Sequence, residues 1–408
     1  MKYALLGEKL GHSYSALIHK NCGLDYSLLE LKKEDLLPTL KKDAYNGFNV
    51  TIPYKKTVID CLDEIDDSAK SVGAVNTIKK QGGKLIGFNT DVYGMDYAIK
   101  RRGVSLNGKT VLILGSGGTS LTAAAVCKNN NAKFVVVSRT GEVNYSNCYD
   151  IDAEIIIDTT PIGTYPNVYE KIIDISRFKR LEFVLDCVYN PFLTEILKDA
   201  KALNINFSNG LPMLVAQAIK AQEIFLDKKI DNSVIEENIS YISRDRGNIV
   251  LSGMPSSGKS TIGKLIATKL NREFIDTDEV ITKKTGKTPK EIIIESGEKV
   301  FRKIESEVIK QVSIFSGKVI ALGGGAVLNK DNVRALKTNG AIVYIKRDLN
   351  ALSTKDRPLS MGRDIKELFK ERQPFYESAS DITVENVEIE KTMAEIIKKY
   401  EDFSDKRC

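Results

Sequence analysis

The chain has 408 residues, 42% of them hydrophobic and 28% charged, a composition that fits folded soluble protein and is too apolar for a disordered one. Its length passes the ~250–300 residues at which a single core stops growing, so two or three domains are expected. A net charge of +6 spread along the chain argues against a dedicated nucleic-acid binder, and no apolar run approaches the ~18 residues of a membrane span.

The opening MKYALLGEKLGHS is too short in its apolar part for a secretory signal, which predicts an intracellular protein. Six scattered cysteines without a C-x-x-C pair, together with two histidines, exclude a disulfide scaffold, a zinc finger and a His-rich metal site. A general base is then Lys, Asp, Glu or Tyr, unless His12 or His19 serves.

In chain order, strands are predicted at Tyr3–Leu6, Gly47–Thr51, Thr110–Leu114, Phe134–Ser138, Ile155–Asp158 and Phe183–Asp186. A second series lies at Asn248–Ser252, Glu273–Asp276, Val319–Leu322 and Ala341–Lys346. Helices alternate with them, the pattern of parallel α/β layers. Two strand, glycine-loop, helix units begin at Gly115 and Gly253, and each needs its own sheet. The basic stretch Ile99–Asn107 reads as a link between two lobes of the first half. Residues 227–247 are charged and carry one amphipathic helix, Ser233–Ile242, before the polar SRDRG, which places the junction between halves at 243–247.

The segment KTVLILGSGGTS reads as a buried strand, a turn through Gly115, Gly117 and Gly118, and a helix that begins where a pyrophosphate can approach bare backbone. The next strand ends at Ser138-Arg139-Thr140, where an NAD enzyme carries Asp or Glu for the ribose hydroxyl. An arginine there suits a 2′-phosphate and favours NADP.

Six ordered motifs bring a resemblance. They are Gly11-His12-Ser13-Tyr14-Ser15, Asn49-Val50-Thr51-Ile52-Pro53-Tyr54-Lys55, Gly73-Ala74-Val75-Asn76-Thr77, Asn89-Thr90-Asp91, Thr160-Pro161-Ile162-Gly163, and the run from Gly210 to Gln217. On these the chain up to about residue 243 resembles a shikimate dehydrogenase. Hydride transfer to a ketone needs a proton donor beside the new alkoxide, and a lysine with an ordinary pKa of ~10.4 must be lowered by burial to serve near neutrality. The resemblance implies that Lys55 and Asp91 are this catalytic pair. It also implies that Ser13, Ser15 and Tyr189 bind the substrate carboxylate, while Thr51, Asn76, Asp91 and Gln217 hold its ring hydroxyls. Gly115, Gly117, Gly118, Ser138, Arg139 and Thr140 are the implied NADP contacts. Ala16 and Lys20 depart from the family pattern beside the carboxylate pocket, and no basic residue comes directly after Arg139-Thr140.

The second loop, Gly253-Met-Pro-Ser-Ser-Gly258-Lys259-Ser260, fits the phosphate-loop pattern GxxxxGK[ST] after a strand and before a helix. Its backbone amides cradle phosphates, Lys259 reaches the β- and γ-phosphates, and Ser260 binds Mg²⁺. Asp276 and Asp278 are expected to point the same way on alternate positions of a strand end. Arg302 and Glu305 lie at i and i+3 on one helical face. With Gly323-Gly324-Gly325, Arg357-Pro358-Leu359 and Glu371-Arg372-Gln373-Pro374, this part resembles a shikimate kinase from residue 247 to 408. The resemblance implies that Asp278, Arg302, Arg372 and Gly323, Gly324 and Gly325 bind shikimate, with the two arginines on its carboxylate. Asp278 is the implied base, Asp276 sits near the metal, and Arg357 belongs to a lid that reaches the transferring phosphoryl group. Gly253, Ser256, Ser257, Gly258, Lys259, Ser260 and Thr261 hold the nucleotide. The arginine that usually precedes such a lid is missing.

The expected architecture is α/β throughout: a substrate lobe (1–100, completed by helices around 210–243), a Rossmann-type NADP lobe (101–210) and a P-loop kinase domain with a parallel sheet (247–408). The expected function is a cytoplasmic bifunctional enzyme using NADP(H), ATP and Mg²⁺. It reduces 3-dehydroshikimate to shikimate and then phosphorylates shikimate, with small-molecule partners and neither nucleic acid nor membrane. The readings kept beside it are a quinate-type dehydrogenase fused to another small-metabolite kinase, and a non-catalytic sensor of metabolite and nucleotide.

Overall fold

The computed structural model describes residues 1–11, 13–349, 365–405 and 407. The chain divides into two compact units, one of Met1–Asn190 with Thr194–Ile239, the other of Pro191–Leu193 with Ser240–Cys408. Among the described residues the longer strands make three sheets, and no helix is long and apolar enough to cross a membrane.

The first unit holds two of the sheets. In one, the strands run in the order Asp25–Glu30, Lys2–Gly7, Gly47–Val50, Thr77–Gln81, Lys84–Phe88 and Glu64–Ile65. This sheet is mixed, which corrects the expectation of parallel layers throughout. Gly47–Val50 pairs antiparallel with Thr77–Gln81, which pairs antiparallel with Lys84–Phe88. The cause is local: Gly82 and Gly83 take φ of +58° and +78°, the left-handed backbone of a two-residue hairpin turn, and such a turn joins only antiparallel strands. The adjacent glycines are the signal that locates this hairpin in the sequence. One face of the sheet buries Ala4, Leu6, Phe48, Val50 and Ile78. The other packs Tyr3, Leu5 and Tyr26 with Phe225 of the helix Leu211–Leu226.

The second sheet of this unit is parallel throughout, in the order Asn206–Ser208, Phe183–Asp186, Ile155–Asp158, Thr110–Leu114 and Lys133–Val137. Its three central strands are almost fully buried because helices cover both faces, so they read as continuous apolar runs rather than alternating ones. The carboxyl ends of Ile155–Asp158 and Phe183–Asp186 lead into the loops that line the first site.

The second unit has one parallel sheet, ordered Phe274–Asp276, Val319–Ala321, Asn248–Ser252, Gly340–Lys346 and Ile382–Glu385. Alternation splits the central strand between two cores. Val250 packs with Ile320 and Ile342 on one face, Ile249 and Leu251 with Val343 and Ile345 on the other. Asn248–Ser252 is the middle strand, so the phosphate loop emerges at the centre of the sheet's carboxyl edge. The helix expected at Ser233–Ile242 continues to Arg246. The polar SRDR stretch is not loose chain: Arg244 pairs with Asp405 through two bonds of 2.8 and 2.5 Å, and its carbonyl accepts from Tyr400 Oη at 2.9 Å.

Candidate functional site

In the first unit a cavity of about 340 Å³ is lined by Ser13, Ser15, Thr51, Lys55, Asn76, Asp91, Tyr189 and Gln217, eight residues named from the sequence and spread over 205 positions. Local structure places each. Gly47–Val50 ends below the cavity, and the turn after it is pinned by Tyr54, whose hydroxyl donates to the Leu31 carbonyl at 2.6 Å. Lys55 thereby faces Asp91, the first residue of the helix Asp91–Arg101, with Nζ 2.6 Å from Oδ2. The other carboxylate oxygen accepts from Asn76 Nδ2 at 2.9 Å. Asn76 also donates to Thr90 Oγ1 at 3.0 Å and Gln217 Oε1 at 3.4 Å, and its own oxygen accepts the Thr90 N–H at 2.8 Å. One amide side chain therefore orients three neighbours at the cavity floor.

In the same lining, Ser15 N–H donates to Ser13 Oγ at 3.2 Å, and the ring of Tyr189 packs against that of Tyr14 at 5.1 Å. Burial pushes the Tyr189 phenol up to about 12, so it stays protonated and able to donate. Hydroxyl donors and a Lys–Asp ion pair thus line one cavity. A small polar ring carrying a carboxylate and hydroxyls matches that arrangement.

Sequence reasoning missed Asn49, which also lines the cavity; Tyr26 Oη donates to its Oδ1 at 2.7 Å, and its Nδ2 donates to Thr77 Oγ1 at 3.0 Å. It stands inside one of the sequence motifs, and only its contacts give it a role. His12 lies outside the described residues. His19 does not line the cavity. It is buried, stacked on Tyr26 at 4.0 Å, and linked through Nδ1 to Gln222 at 3.0 Å. Burial holds its imidazole down to about 3, so it is neutral and structural.

The dinucleotide loop leaves Thr110–Leu114 and enters the helix Gly118–Asn129. Gly115 has φ +99°, and a Cβ there would stand 2.9 Å from Thr159 Oγ1, so only glycine fits the turn. Open space lies where Cβ atoms of Gly117 and Gly118 would be, next to an uncapped helix N-terminus. Those bare amides fit a pyrophosphate. Ser138, Arg139 and Thr140 come directly after Lys133–Val137, with Arg139 and Thr140 exposed.

In the second unit the phosphate loop, which carries Gly253, Ser256, Ser257 and Gly258, joins Asn248–Ser252 to the helix Lys259–Leu270. Lys259 Nζ donates to the carbonyls of Gly253 and Met254 at 3.0 and 2.9 Å, folded back over its own loop. Ser260 Oγ donates to Asp276 Oδ2 at 2.8 Å, a hydroxyl and a carboxylate oxygen that suit a hard divalent cation. Thr261 is exposed beside Ser260 on the helix. Asn386, which sequence reasoning missed, holds the loop from outside, donating to the Ser257 carbonyl at 2.8 Å.

The expected strand alternation of Asp276 and Asp278 does not occur. Phe274–Asp276 stops because the Asp276 carboxylate accepts the Asp278 N–H at 3.0 Å and caps the helix Thr277–Thr285. Asp278 therefore sits in a helical first turn and faces a different loop. A Cβ on Gly323 would stand 3.0 Å from both Asp278 Oδ1 and Glu305 Oε1, and one on Gly324 would stand 3.5 Å from Arg372 Nη1. A Cβ on Gly325 would collide with the Arg302 guanidinium. Arg302 bonds Glu305 Oε2 at 2.7 Å within the helix Glu298–Ser313, and Arg372 is 5% exposed on the helix Ile365–Ala379. Burial raises the Glu305 carboxyl, against the pull of Arg302. The triple-glycine loop thus threads a nest of two arginines and two carboxylates. Arg357 lies outside the described residues.

These features define a class: a nucleotide-dependent α/β dehydrogenase joined in one chain to a phosphate-loop kinase. Comparison with known proteins makes this particular. Residues 5–78 match the shikimate dehydrogenase substrate binding domain, and residues 255–401 match shikimate kinase. The chain is 38% identical over 259 residues to shikimate dehydrogenase (NADP(+)) of Clostridium perfringens, covering 58% of this chain and 96% of that one. The crystal structure of shikimate dehydrogenase 1 from Peptoclostridium difficile is 37% identical, with a TM-score of 0.54 over 58% of this chain and 96% of that one. A chorismate mutase/shikimate 5-dehydrogenase fusion protein from Clostridium acetobutylicum is 35% identical, with a TM-score of 0.56 over 58% and 94%. The chain belongs to the shikimate dehydrogenase family and carries a shikimate kinase domain behind that part.

Proposed function

We propose that the chain is a cytoplasmic bifunctional enzyme of aromatic amino acid biosynthesis that reduces 3-dehydroshikimate to shikimate with NADPH and then phosphorylates shikimate with ATP. The observation that carries the first activity is the Lys55–Asp91 pair, at 2.6 Å, in the same cavity as Ser13, Ser15 and Tyr189. A non-catalytic sensor has no need of a lysine held at bonding distance to a carboxylate inside its ligand cavity. NADPH, when bound, supplies the hydride, and ATP with its Mg²⁺ supplies the phosphoryl group.

The chain's own residues do the rest. Lys55 Nζ gives a proton to the oxygen that becomes the new hydroxyl, and Asp91 holds that ammonium in place and takes part in its return in the reverse direction. Ser13, Ser15 and Tyr189 bind the carboxylate through hydroxyl donors. Thr51, Asn76 and Gln217 fix the ring hydroxyls, so that the carbonyl rather than a hydroxyl faces Lys55. Gly115, Gly117 and Gly118 would admit the pyrophosphate of bound NADPH, and Ser138, Arg139 and Thr140 would hold its 2′-phosphate.

In the kinase domain Arg302 and Arg372 take the carboxylate, and Gly323, Gly324 and Gly325 let the ring lie against backbone. Asp278 accepts the proton of the attacking hydroxyl. Lys259 would hold the β- and γ-phosphates of bound ATP, and Ser260 and Asp276 would hold its metal, which would neutralise charge on the transferring phosphoryl group. The test is direct: the purified chain should oxidise NADPH on addition of 3-dehydroshikimate and, with ATP, release ADP on addition of shikimate. Absence of the first reaction with this substrate overturns the dehydrogenase reading, and absence of the second overturns the kinase reading.

A further inference from the structure

Two buried carboxylates behind the first cavity take no part in the chemistry above. Asp158 and Asp186 end the strands Ile155–Asp158 and Phe183–Asp186, and the parallel register sets them opposite one another. Their backbones are therefore about 4.8 Å apart and their side chains share one face of the sheet. Asp158 is 2% exposed and Asp186 is fully buried. The donors are few and neutral. Thr160 N–H donates to Asp158 Oδ1 at 2.8 Å, Val188 N–H to Asp186 Oδ1 at 2.9 Å, and the Thr194 hydroxyl to Asp186 Oδ2 at 2.5 Å.

Among the described residues no Lys, Arg or His pairs with either carboxylate. The titratable neighbours that sense them are Tyr145, raised first by burial and then by Asp158 against the pull of Arg139, and Cys187, raised first by burial and then by Asp186 and Asp158. From the cavity side, Lys55 and Asp91 also act on Cys187. Two adjacent buried charges met only by backbone N–H groups and threonine hydroxyls cannot both persist, and the group answers by keeping a proton.

The loops that leave the two strands give the pair its consequence. Asp158 ties down the start of 159–163, whose Thr159 stands against Gly115 of the dinucleotide loop. Asp186 ties down the start of 187–190, which presents Cys187 and Tyr189 to the cavity. We propose that Asp158 and Asp186 share one proton and through it hold these two loops together, acting as positioning residues for Tyr189 and the dinucleotide turn. Burial raises both carboxyls above the ordinary range, and the Asp158 charge raises Asp186 further. Loss of the shared proton at alkaline pH leaves two charges that repel, so the loops part and substrate binding weakens before chemistry does.

This rests on the cavity being the dehydrogenase site, and the experiment separates the two. Infrared spectra of the full chain, D158N and D186N are recorded at neutral pH. The wild-type minus variant differences should show the carbonyl band of a protonated carboxyl, because an amide N–H replaces the shared proton in each variant. No such band in either difference overturns the proposal, whatever the enzyme's activity.

NADPH oxidation with 3-dehydroshikimate is then measured from pH 7 to 10. The wild-type KM should climb at alkaline pH with kcat changing less, and the climb should flatten in D158N. At pH 7, D158A should raise KM tenfold or more, and D158N should raise it at least threefold less than D158A. Equal KM values for the two, or a D158N profile parallel to wild type, overturns the positioning role. Urea unfolding of each chain, followed by far-UV circular dichroism, reports that its first unit is folded, and phosphorylation of shikimate by the second unit normalises the amount of active chain. Should D158A not fold, the D158N profile and its difference spectrum decide. If the wild type oxidises no NADPH with this substrate, the functional reading has failed, and the spectra still decide the proton.

Discussion

Removing the Lys55 ammonium is the sharpest test of how the first site works. In Lys55→Ala the Asp91 carboxylate keeps the Asn76 amide at 2.9 Å and loses the ammonium that stood 2.6 Å away. The substrate oxygen loses its proton donor. General acid–base help is worth ~10²–10⁴-fold, so at 1.36 kcal/mol per factor of ten the barrier should rise by about 2.7–5.4 kcal/mol. The assay is NADPH absorbance with saturating 3-dehydroshikimate, with ATP-dependent phosphorylation of shikimate by the same preparation as internal control. The effect should fall on kcat, since Ser13, Ser15 and Tyr189 still bind the carboxylate. Lys55→Arg separates charge from proton transfer: a guanidinium keeps a cation beside Asp91 but does not give up its proton near neutrality. It should recover substrate binding and little of the rate. A Lys55→Ala enzyme within fivefold of wild type, or full recovery in Lys55→Arg, would refute the acid–base assignment.

Arg139→Ala should narrow the preference for NADPH over NADH by about tenfold or more, since a hydrogen bond to a charged group contributes ~1.5–3 kcal/mol; equal kcat/KM for the two cofactors in the unmutated chain would count against Arg139. Gly325→Ala places a methyl group against the Arg302 guanidinium and should raise the kinase KM for shikimate more than tenfold while leaving NADPH oxidation intact; an unchanged KM would remove Arg302 from the shikimate site. Acid sensitivity should come in part from His19, whose imidazole is held to about 3 by burial. The unfolded chain takes up this proton below pH ~6.5 and the folded chain only near 3, so stability is complete above that window and falls with pH through it, by up to ~1.4 kcal/mol per unit. In urea unfolding of the full chain, His19→Phe should therefore lose less stability between pH 7 and pH 5 than wild type, and identical losses would show that His19 does not titrate as described.

Where the chemistry is carried by contiguous residues, it could be read directly. The phosphate loop from Gly253 to Ser260 and the turn at Gly115 each need a strand, a bend and a helix start in immediate succession, so the backbone requirement is written in adjacent residues. The buried strands were equally plain, because parallel strands covered on both faces are unbroken apolar runs such as Val111–Leu114. The edges of that reading failed where the cause was a single local contact. Asp276 capping Asp278 turned an expected strand end into a helix, and Gly82 with Gly83 folded back a hairpin that strand periodicity alone did not reveal.

The cavity residues were known from the sequence only through resemblance, since nothing in the spacing of Ser13, Lys55, Asn76, Asp91, Tyr189 and Gln217 requires that they meet. By itself the sequence determined two nucleotide loops, the α/β class and the residue types available for acid–base work. The tertiary structure decided which groups keep company. It paired Lys55 with Asp91, withdrew His19 from the chemistry, set Glu305 against the triple glycine, and laid Asp158 beside Asp186. The reason is that a strand or loop is specified by neighbours along the chain. A side chain's protonation and reach depend instead on burial and on charges brought close from distant positions, and these exist only once the sheets have packed.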